Sequence, residues 1–285
     1  MKIKEYIPSF KRALSLKRIP LDILQTSTTQ SLPIIVTLTS IPSRLHKIDI
    51  TIRSLLNQSG KPEKIVLWLN KELKGTIPKK LASLQGDIFE IRYCQLDCSH
   101  QKLIYSLEEF SESILVTCDD DLMYDRELLK SLYLEHTLFP NDIISNECRE
   151  ISQDSFGKLL SYKEWKYSKE LGLSKVEFIP LGYSGVLYPP NALLKEARSS
   201  QLFLKLAPKA DDLWFKMMAL LNDTKVRRPS TPSSKPMPII GSQKVSLKKT
   251  NVKKDGNRIQ WIALCDHYSV SLKSLNIELS NSSSA

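Results

Sequence analysis

Short apolar runs alternate with helically spaced stretches through most of this chain. Residues 32–40 are rich in Ile, Val, Leu and Thr and read as a strand. Apolar positions then fall at Ile48, Ile52, Leu55 and Leu56, the spacing of a helix over 47–58. Ile65-Val66-Leu67-Trp68-Leu69 is a second buried strand. Strand, helix and strand within about forty residues make a βαβ unit, which requires parallel pairing. The pattern continues with a helix over 79–85, an alternating strand over 89–94 and a helix over 103–110. Ile114, Leu115 and Val116 then form a run apolar on both faces, as an inner parallel strand would be. A helix is predicted over 125–138 with Asp125 as its N-cap, then a strand-like piece over 141–145. Residues 152–175 hold Tyr162, Trp165 and Tyr167 without a period. They fit either an insertion that shapes a sugar pocket or ordinary packing. Val186-Leu187-Tyr188 reads as a strand stopped by Pro189 and Pro190, and Leu213, Met217, Leu220 and Leu221 stripe a further helix.

These elements predict an α/β fold: a Rossmann-like, mostly parallel central sheet flanked by helices, with a C-terminal lid region, which the family resemblance named below would make an acceptor or lid region. Residues 1–31 read as a basic N-terminal extension, 32–270 as one catalytic domain and 271–285 as a polar tail. Within the domain, about 32–125 would bind a nucleotide; that about 126–270 would face an acceptor is what the family resemblance named below implies. The Pro- and Ser-rich stretch 227–238 and the basic stretch 244–254 read together as a mobile loop, either a lid or a plain connection.

Composition narrows the class. The chain has 285 residues, enough for one large α/β domain, and no apolar run long enough to span a bilayer. The start does not read as a secretory signal. Cys94, Cys98, Cys118, Cys148 and Cys265 are odd in number and scattered, which fits free thiols in a reducing cytoplasm better than a zinc site. The net charge of +10 favours anionic neighbours. No nucleic-acid module is visible, so a phosphorylated substrate or an anionic membrane surface is the expected partner. Lys2, Lys4, Lys11, Arg12, Lys17 and Arg18 interleave with Tyr6, Ile7, Phe10 and Leu14 at helical spacing. This segment reads as a basic helix on a membrane surface or as one packed on the domain. The expected location is therefore cytoplasmic, either free or peripheral on the inner face of the membrane.

The candidate chemistry centres on Asp119, Asp120 and Asp121, which follow the apolar strand directly. Adjacent carboxylates stay ionised only with a cation among them, and Mg²⁺ takes one or two carboxylates beside water and substrate phosphate. A metal-bridged diphosphate at Asp119 and Asp121 is the expectation, with Asp120 beside it. Thr39, Ser40, Pro42 and Arg44 end the first strand, where a base, ribose or diphosphate would lie. Asp97 and Lys102 are further donor-site candidates, Lys102 reaching toward a phosphate. Gly182 and Gly185 frame Tyr183 and Ser184, so the backbone there can approach a ligand closely, which makes Gly185 a donor-site candidate. Asp211 and Asp212 open a helix; one suits a cap, and the second suits a general base.

Several stretches together resemble one family: Val36-Thr37-Leu38-Thr39-Ser40-Ile41-Pro42-Ser43-Arg44, Thr51-Ile52-Arg53-Ser54-Leu55-Leu56-Asn57-Gln58, Lys64-Ile65-Val66-Leu67-Trp68-Leu69, Thr117-Cys118-Asp119-Asp120-Asp121, Gly185-Val186-Leu187-Tyr188-Pro189-Pro190 and Ala207-Pro208-Lys209-Ala210-Asp211-Asp212-Leu213-Trp214-Phe215. The chain is similar over 33–262 to bacterial family-2-like glycosyltransferases of the GT-A fold, which build surface polysaccharide or lipopolysaccharide. The resemblance implies a UDP-linked nucleotide-sugar donor, Mn²⁺ or Mg²⁺, and a glycan or lipid-linked acceptor. It implies a metal held by Asp121, the first acid Asp119 near the ribose, Asp212 as base with Asp211 beside it, and His267 as a late metal ligand. Direct displacement would invert the anomeric centre; retention stays open. The chain departs from the family's pattern at Leu181-Gly182-Tyr183, where a glycine-rich run is expected, and at Asn146-Glu147-Cys148-Arg149, where an Arg-His pattern is expected. The alternatives are a sugar nucleotidyltransferase and an inactive protein that binds anionic glycan or membrane.

Overall fold

A computed structural model describes residues 3–26, 31–242, 251–252 and 254–271. Two helices lead, α1 (Tyr6–Arg18) and α2 (Leu21–Gln25). Then come β1 (Leu32–Thr39), α3 (Ile48–Leu56), β2 (Pro62–Asn70), α4 (Lys79–Ala82), β3 (Phe89–Cys94), α5 (Gln101–Glu109) and β4 (Ile114–Thr117). The second half holds β5 (Leu122–Met123), α6 (Leu128–Leu138), β6 (Ile143–Ser145), β7 (Cys148–Glu150), β8 (Leu173–Lys175), β9 (Phe178–Pro180) and β10 (Val186–Tyr188). It closes with α7 (Ser200–Leu206), α8 (Asp211–Leu220), β11 (Val226–Arg228), β12 (Met237–Pro238) and α9 (Gly256–Tyr268).

The central sheet runs β3-β2-β1-β4-β10-β6-β11-β8. The first four strands are parallel, and β6 and β11 are parallel to each other. β10 lies antiparallel between β4 and β6, and β8 is antiparallel at the edge. The fold is thus α/β with a mostly parallel central sheet flanked by helices. Alternation along each strand splits the core in two. Ile34, Val36 and Leu38 of β1 pack with Ile52, Leu55, Leu129 and Leu132 from α3 and α6. Ile35 belongs to the other layer, with Leu103, Trp214, Phe215 and Trp261 from α5, α8 and α9. A sheet covered on both faces needs apolar residues at nearly every position, which is why β1, β2 and β4 read as near-continuous apolar runs.

Several local expectations change. Helix α6 starts three residues after Asp125, whose carboxylate instead accepts the backbone N–H of Glu127 at 2.9 Å. Residues 227–238 are anchored, not loose. Arg227 and Arg228 belong to the main sheet, and Met237–Pro238 pairs with β5 directly after the acidic triplet. The basic stretch beyond it falls largely outside the described residues, as do the tail beyond Ser271 and the linker at 27–30. Among the described residues no helix is long and apolar enough to cross a membrane. In the aperiodic insertion, Trp165 is buried, and the Arg149 guanidinium lies 4.6 Å from the Tyr162 ring centre and 4.2 Å from that of Tyr167.

Gly185 corrects one sequence expectation. It does not line the cavity described below; its φ of +86° turns the chain into β10, and a Cβ there would lie 3.0 Å from Leu128 Cδ1. Its glycine identity serves that turn and the α6 packing. Gly185→Ala is expected to cost about 1–3 kcal/mol, measured as a lower urea midpoint. An unchanged midpoint would contradict this account of the turn.

Candidate active site

The sheet order reverses between β1 and β4, because β2 and β3 lie to one side of β1 and β4 to the other. Such a reversal leaves a crevice beyond the carboxyl ends of the two strands. A cavity of about 800 Å³ opens there. Parallel pairing of Thr37 with Thr117 brings the residues after β1 beside those after β4. Ser40 Oγ therefore donates to Asp120 Oδ2 at 2.5 Å. Arg44, carried on the short turn Pro42–Arg44, reaches Asp120 Oδ1 at 2.5 Å through Nη1 and Asp121 Oδ2 at 3.1 Å through Nη2. The backbone of the acids is also fixed. Thr51 Oγ1 donates to the Asp120 carbonyl at 2.9 Å, and the Ile239 N–H donates to that of Asp121 at 2.9 Å.

A second acidic group enters from the other half of the chain. Asp211 and Asp212 open α8, but the cap position is Ala210 and no side chain caps this helix. Both residues line the cavity instead. Lys102, buried on α5, lies 3.0 Å from Asp119 Oδ1 and 2.9 Å from Asp211 Oδ2, so one ammonium joins the two acidic groups. Asp212 Oδ2 accepts the Gly182 N–H at 3.1 Å. A Cβ on Gly182 would lie 2.6 Å from Asp212 Oδ1, so only glycine allows this approach.

The charges are unevenly compensated. Burial works against the Lys102 charge, yet Asp119 and Asp211 hold its pKa well above the usual lysine value. Burial likewise pushes Asp211 up, but Lys102 outweighs it and leaves that carboxyl at about 2. Asp212 is raised to about 7 by burial and then by the Asp211 charge. Asp121 is raised to about 7 by burial and then by Asp119, with Arg44 opposing. Asp120 is raised by burial, against the pull of Arg44. Among the described residues the cavity is lined by six Asp residues against Arg44, Lys102 and Lys209. The site is short of positive charge.

Of the residues singled out from the sequence, Thr39, Ser40, Arg44, Asp97, Lys102, Asp119, Asp120, Asp121, Asp211 and Asp212 line this cavity. Pro42, Gly185 and His267 do not. Pro42 starts the turn that carries Arg44. His267 is exposed on α9, its ring edge-to-face with Tyr268 at 4.7 Å, and the structure does not bring it to the acids. Among the described residues no cluster of three or more His, Cys, Asp or Glu has a metal-holding arrangement. The lining also includes Gln101, Tyr162, Tyr183, Lys209, Asn251 and Asn257. Gln101 Nε2 donates to Thr39 Oγ1, and the Tyr183 hydroxyl donates to Glu147. The glycines around Tyr183 and the aromatic density around Tyr162 were the available signals; Asn251 and Asn257 carry none.

No protein-family model matches this chain, and no curated protein matches it. Among solved structures it is similar to a Bacillus anthracis protein assigned as a glucose-1-phosphate thymidylyltransferase, solved in complex with sucrose. The TM-score is 0.40 at 12% identity, over 81% of this chain and 94% of that one. A likeness this distant adds nothing to the topology given above.

The two raised carboxyls make stability pH-dependent in a defined direction. Asp121 and Asp212 hold their protons to about pH 7 in the folded chain, whereas a free Asp loses its proton near pH ~4. Between those values the folded state binds more protons, so stability falls as pH rises. Asp212→Asn is expected to melt higher than the native chain at pH 8 and close to it at pH 5. Each kcal/mol relieved would appear as about 2–4 °C. Equal melting temperatures at pH 8 would show that Asp212 is not raised.

Proposed function

We propose that this chain is a divalent-cation-dependent glycosyltransferase that moves a hexosyl unit from a nucleotide sugar, UDP-linked, to a hydroxyl of a glycan or lipid-linked acceptor. The observation that carries this reading is Asp212, which lines the cavity beside Asp211 with its Oδ2 held 3.1 Å from the Gly182 N–H, where burial and the Asp211 charge push its carboxyl above the usual range. A sugar hydroxyl is a poor nucleophile until a base takes its proton, and a positioned base with a pKa near the working pH contributes about 10²–10⁴-fold. Asp211, held ionised by Lys102, is the weaker base and serves to raise its neighbour. Nucleotidyl transfer to a sugar phosphate, the competing reading, uses a phosphate oxygen that is already ionised, so it leaves such a base without a task. The proposed GT-A assignment and a role in bacterial surface polysaccharide or lipopolysaccharide synthesis follow the sequence resemblance. A role of that kind would put the protein on the cytoplasmic side of the membrane.

The lining also argues for the cofactor. Six acids facing three bases would repel a diphosphate unless a cation entered with it. Mg²⁺ or Mn²⁺ fits without a ready-made cluster, because such ions take one or two carboxylates and complete their shell with water and phosphate. Asp121 and Asp119 would hold it. When bound, it would neutralise charge on the departing nucleoside diphosphate. Thr39, Ser40 and Arg44 would border the nucleoside, Lys102 would hold Asp119 and Asp211 in place, and Asp212 would take the acceptor proton. Attack from the face opposite the leaving group would invert the anomeric centre.

A panel of nucleotides and nucleotide sugars, each with Mn²⁺ or with EDTA, tests this by thermal shift and by product analysis. Stabilisation by one nucleotide sugar only with Mn²⁺, and release of the nucleoside diphosphate, is the expected result. Asp121→Ala should lose the Mn²⁺-dependent shift. Asp212→Asn should keep it and lose about 10²–10⁴-fold in turnover. Pyrophosphate released from a nucleoside triphosphate would overturn the proposal in favour of a nucleotidyltransferase.

A further inference from the structure

Helix α1 is fastened to the domain by one side only. Leu16 is buried against Ile50, Met123 and Ile239. Ser9 Oγ donates to the Pro238 carbonyl at 2.7 Å, and Arg12 Nη2 to the Tyr124 carbonyl at 2.5 Å. The rest of its apolar content faces outward: Tyr6 is 47%, Ile7 70%, Phe10 61% and Leu14 37% exposed. These residues are spaced as one helical face. Exposed Lys11, Lys17 and Arg18 lie along the same helix, and exposed Lys4 lies in the short turn just before it. Beside it is a second cavity of about 250 Å³, walled in part by Phe10 and Ile240 and edged by Lys17, His46, Lys47 and Lys80. No acid is among its lining residues within the described chain, although the Lys80 ammonium is paired with the buried Asp49 at 3.0 Å and Lys47 Nζ donates to the Ile240 carbonyl at 2.8 Å.

We propose that α1 and this basic cavity form a docking face for an anionic lipid surface, with Ile7, Phe10 and Leu14 entering the headgroup–acyl boundary and an anionic headgroup seated beside Lys17 and Lys47. Two features select that occupant. An outward apolar stripe bordered by lysines is the form of an interfacial helix, whose binding adds apolar burial to attraction for anionic lipid. A second copy of this chain would bring the same lysines face to face and be repelled. The docking face shares a segment with the acidic cavity. Pro238 accepts from α1 and lines that cavity, while Ile240 walls the basic one. Docking would therefore hold the acidic cavity close to the bilayer. The inference does not depend on the transferase reading, because its readout needs no nucleotide sugar.

Co-sedimentation of the full chain with vesicles tests it, using phosphatidylcholine alone and phosphatidylcholine mixed with phosphatidylglycerol. Binding to the mixed vesicles, weakened by salt, is expected. The exposed triple variant Ile7→Ser, Phe10→Ser, Leu14→Ser should keep its melting temperature and bind at least about tenfold less. Lys11→Glu with Lys17→Glu should lose binding to a similar degree. Equal binding to both vesicle types, no binding to either, or undiminished binding by the triple variant would overturn the proposal. So would a concentration-dependent dimer that the triple variant abolishes.

Discussion

The buried ammonium of Lys102 is the interaction on which the candidate site depends. Carboxylates are costly to bury unless each has a partner. Lys102 partners two of them, Asp119 from the end of β4 and Asp211 from the start of α8. It thereby ties the first half of the chain to the second across the cavity. Its pull also divides the labour between neighbours. Asp211 is kept ionised, and that fixed charge, added to burial, lifts Asp212 toward neutral pH. A pair of carboxyls whose surroundings push their proton affinities apart is a recurring way to set one as base.

The sheet supplies the place where this happens. β1 has β2 on one side and β4 on the other, so the loops after β1 and β4 meet without crossing. Ser40 and Arg44 come from one loop and the acidic triplet from the other. The antiparallel β10 then continues the sheet, and the turn preceding it holds Gly182 against Asp212. On the opposite side, β12 closes over β5, and the Arg44 Nε–H reaches the Ser242 carbonyl at 3.2 Å. The wall of the acidic cavity is thus continuous with the segment against which α1 packs. The acidic cavity and the cavity beside α1 are two sides of one short stretch of chain.

Much of the fold was legible because burial leaves a clear periodic trace. The runs at β1, β2 and β4 are mostly apolar, with buried Thr37 and Thr117 among them, as parallel strands covered on both faces are. The acids after β4 stood out for the same reason, since polar residues at the end of a buried strand mark where the core stops. The antiparallel setting of β10 was not legible. Val186–Tyr188 is short and fully buried, and a three-residue apolar run carries no sign of direction. Residues 227–238 looked loose because Pro and Ser are turn formers, yet Arg227–Arg228 pair in the main sheet, Met237–Pro238 pair with β5, and the next residue, Ile239, bonds to the triplet.

The sequence by itself determined the layered α/β architecture, the position of the acidic triplet and the second acidic pair, and the two-sided character of the first helix. Each is set by local pattern: period, composition, and the junction of apolar with charged residues. Tertiary structure alone decided which charges meet. The sequence separates Lys102 from Asp211 by more than a hundred positions, and nothing local says that one ammonium serves both acidic groups. The same holds for Gly182, whose missing side chain is explained only by Asp212 packed against it. The reverse case is His267, plausible as a ligand from its type but turned outward on α9. Proton affinity and ligand capacity depend on distance and burial between remote residues, and those are fixed only when the sheet has brought the loops together.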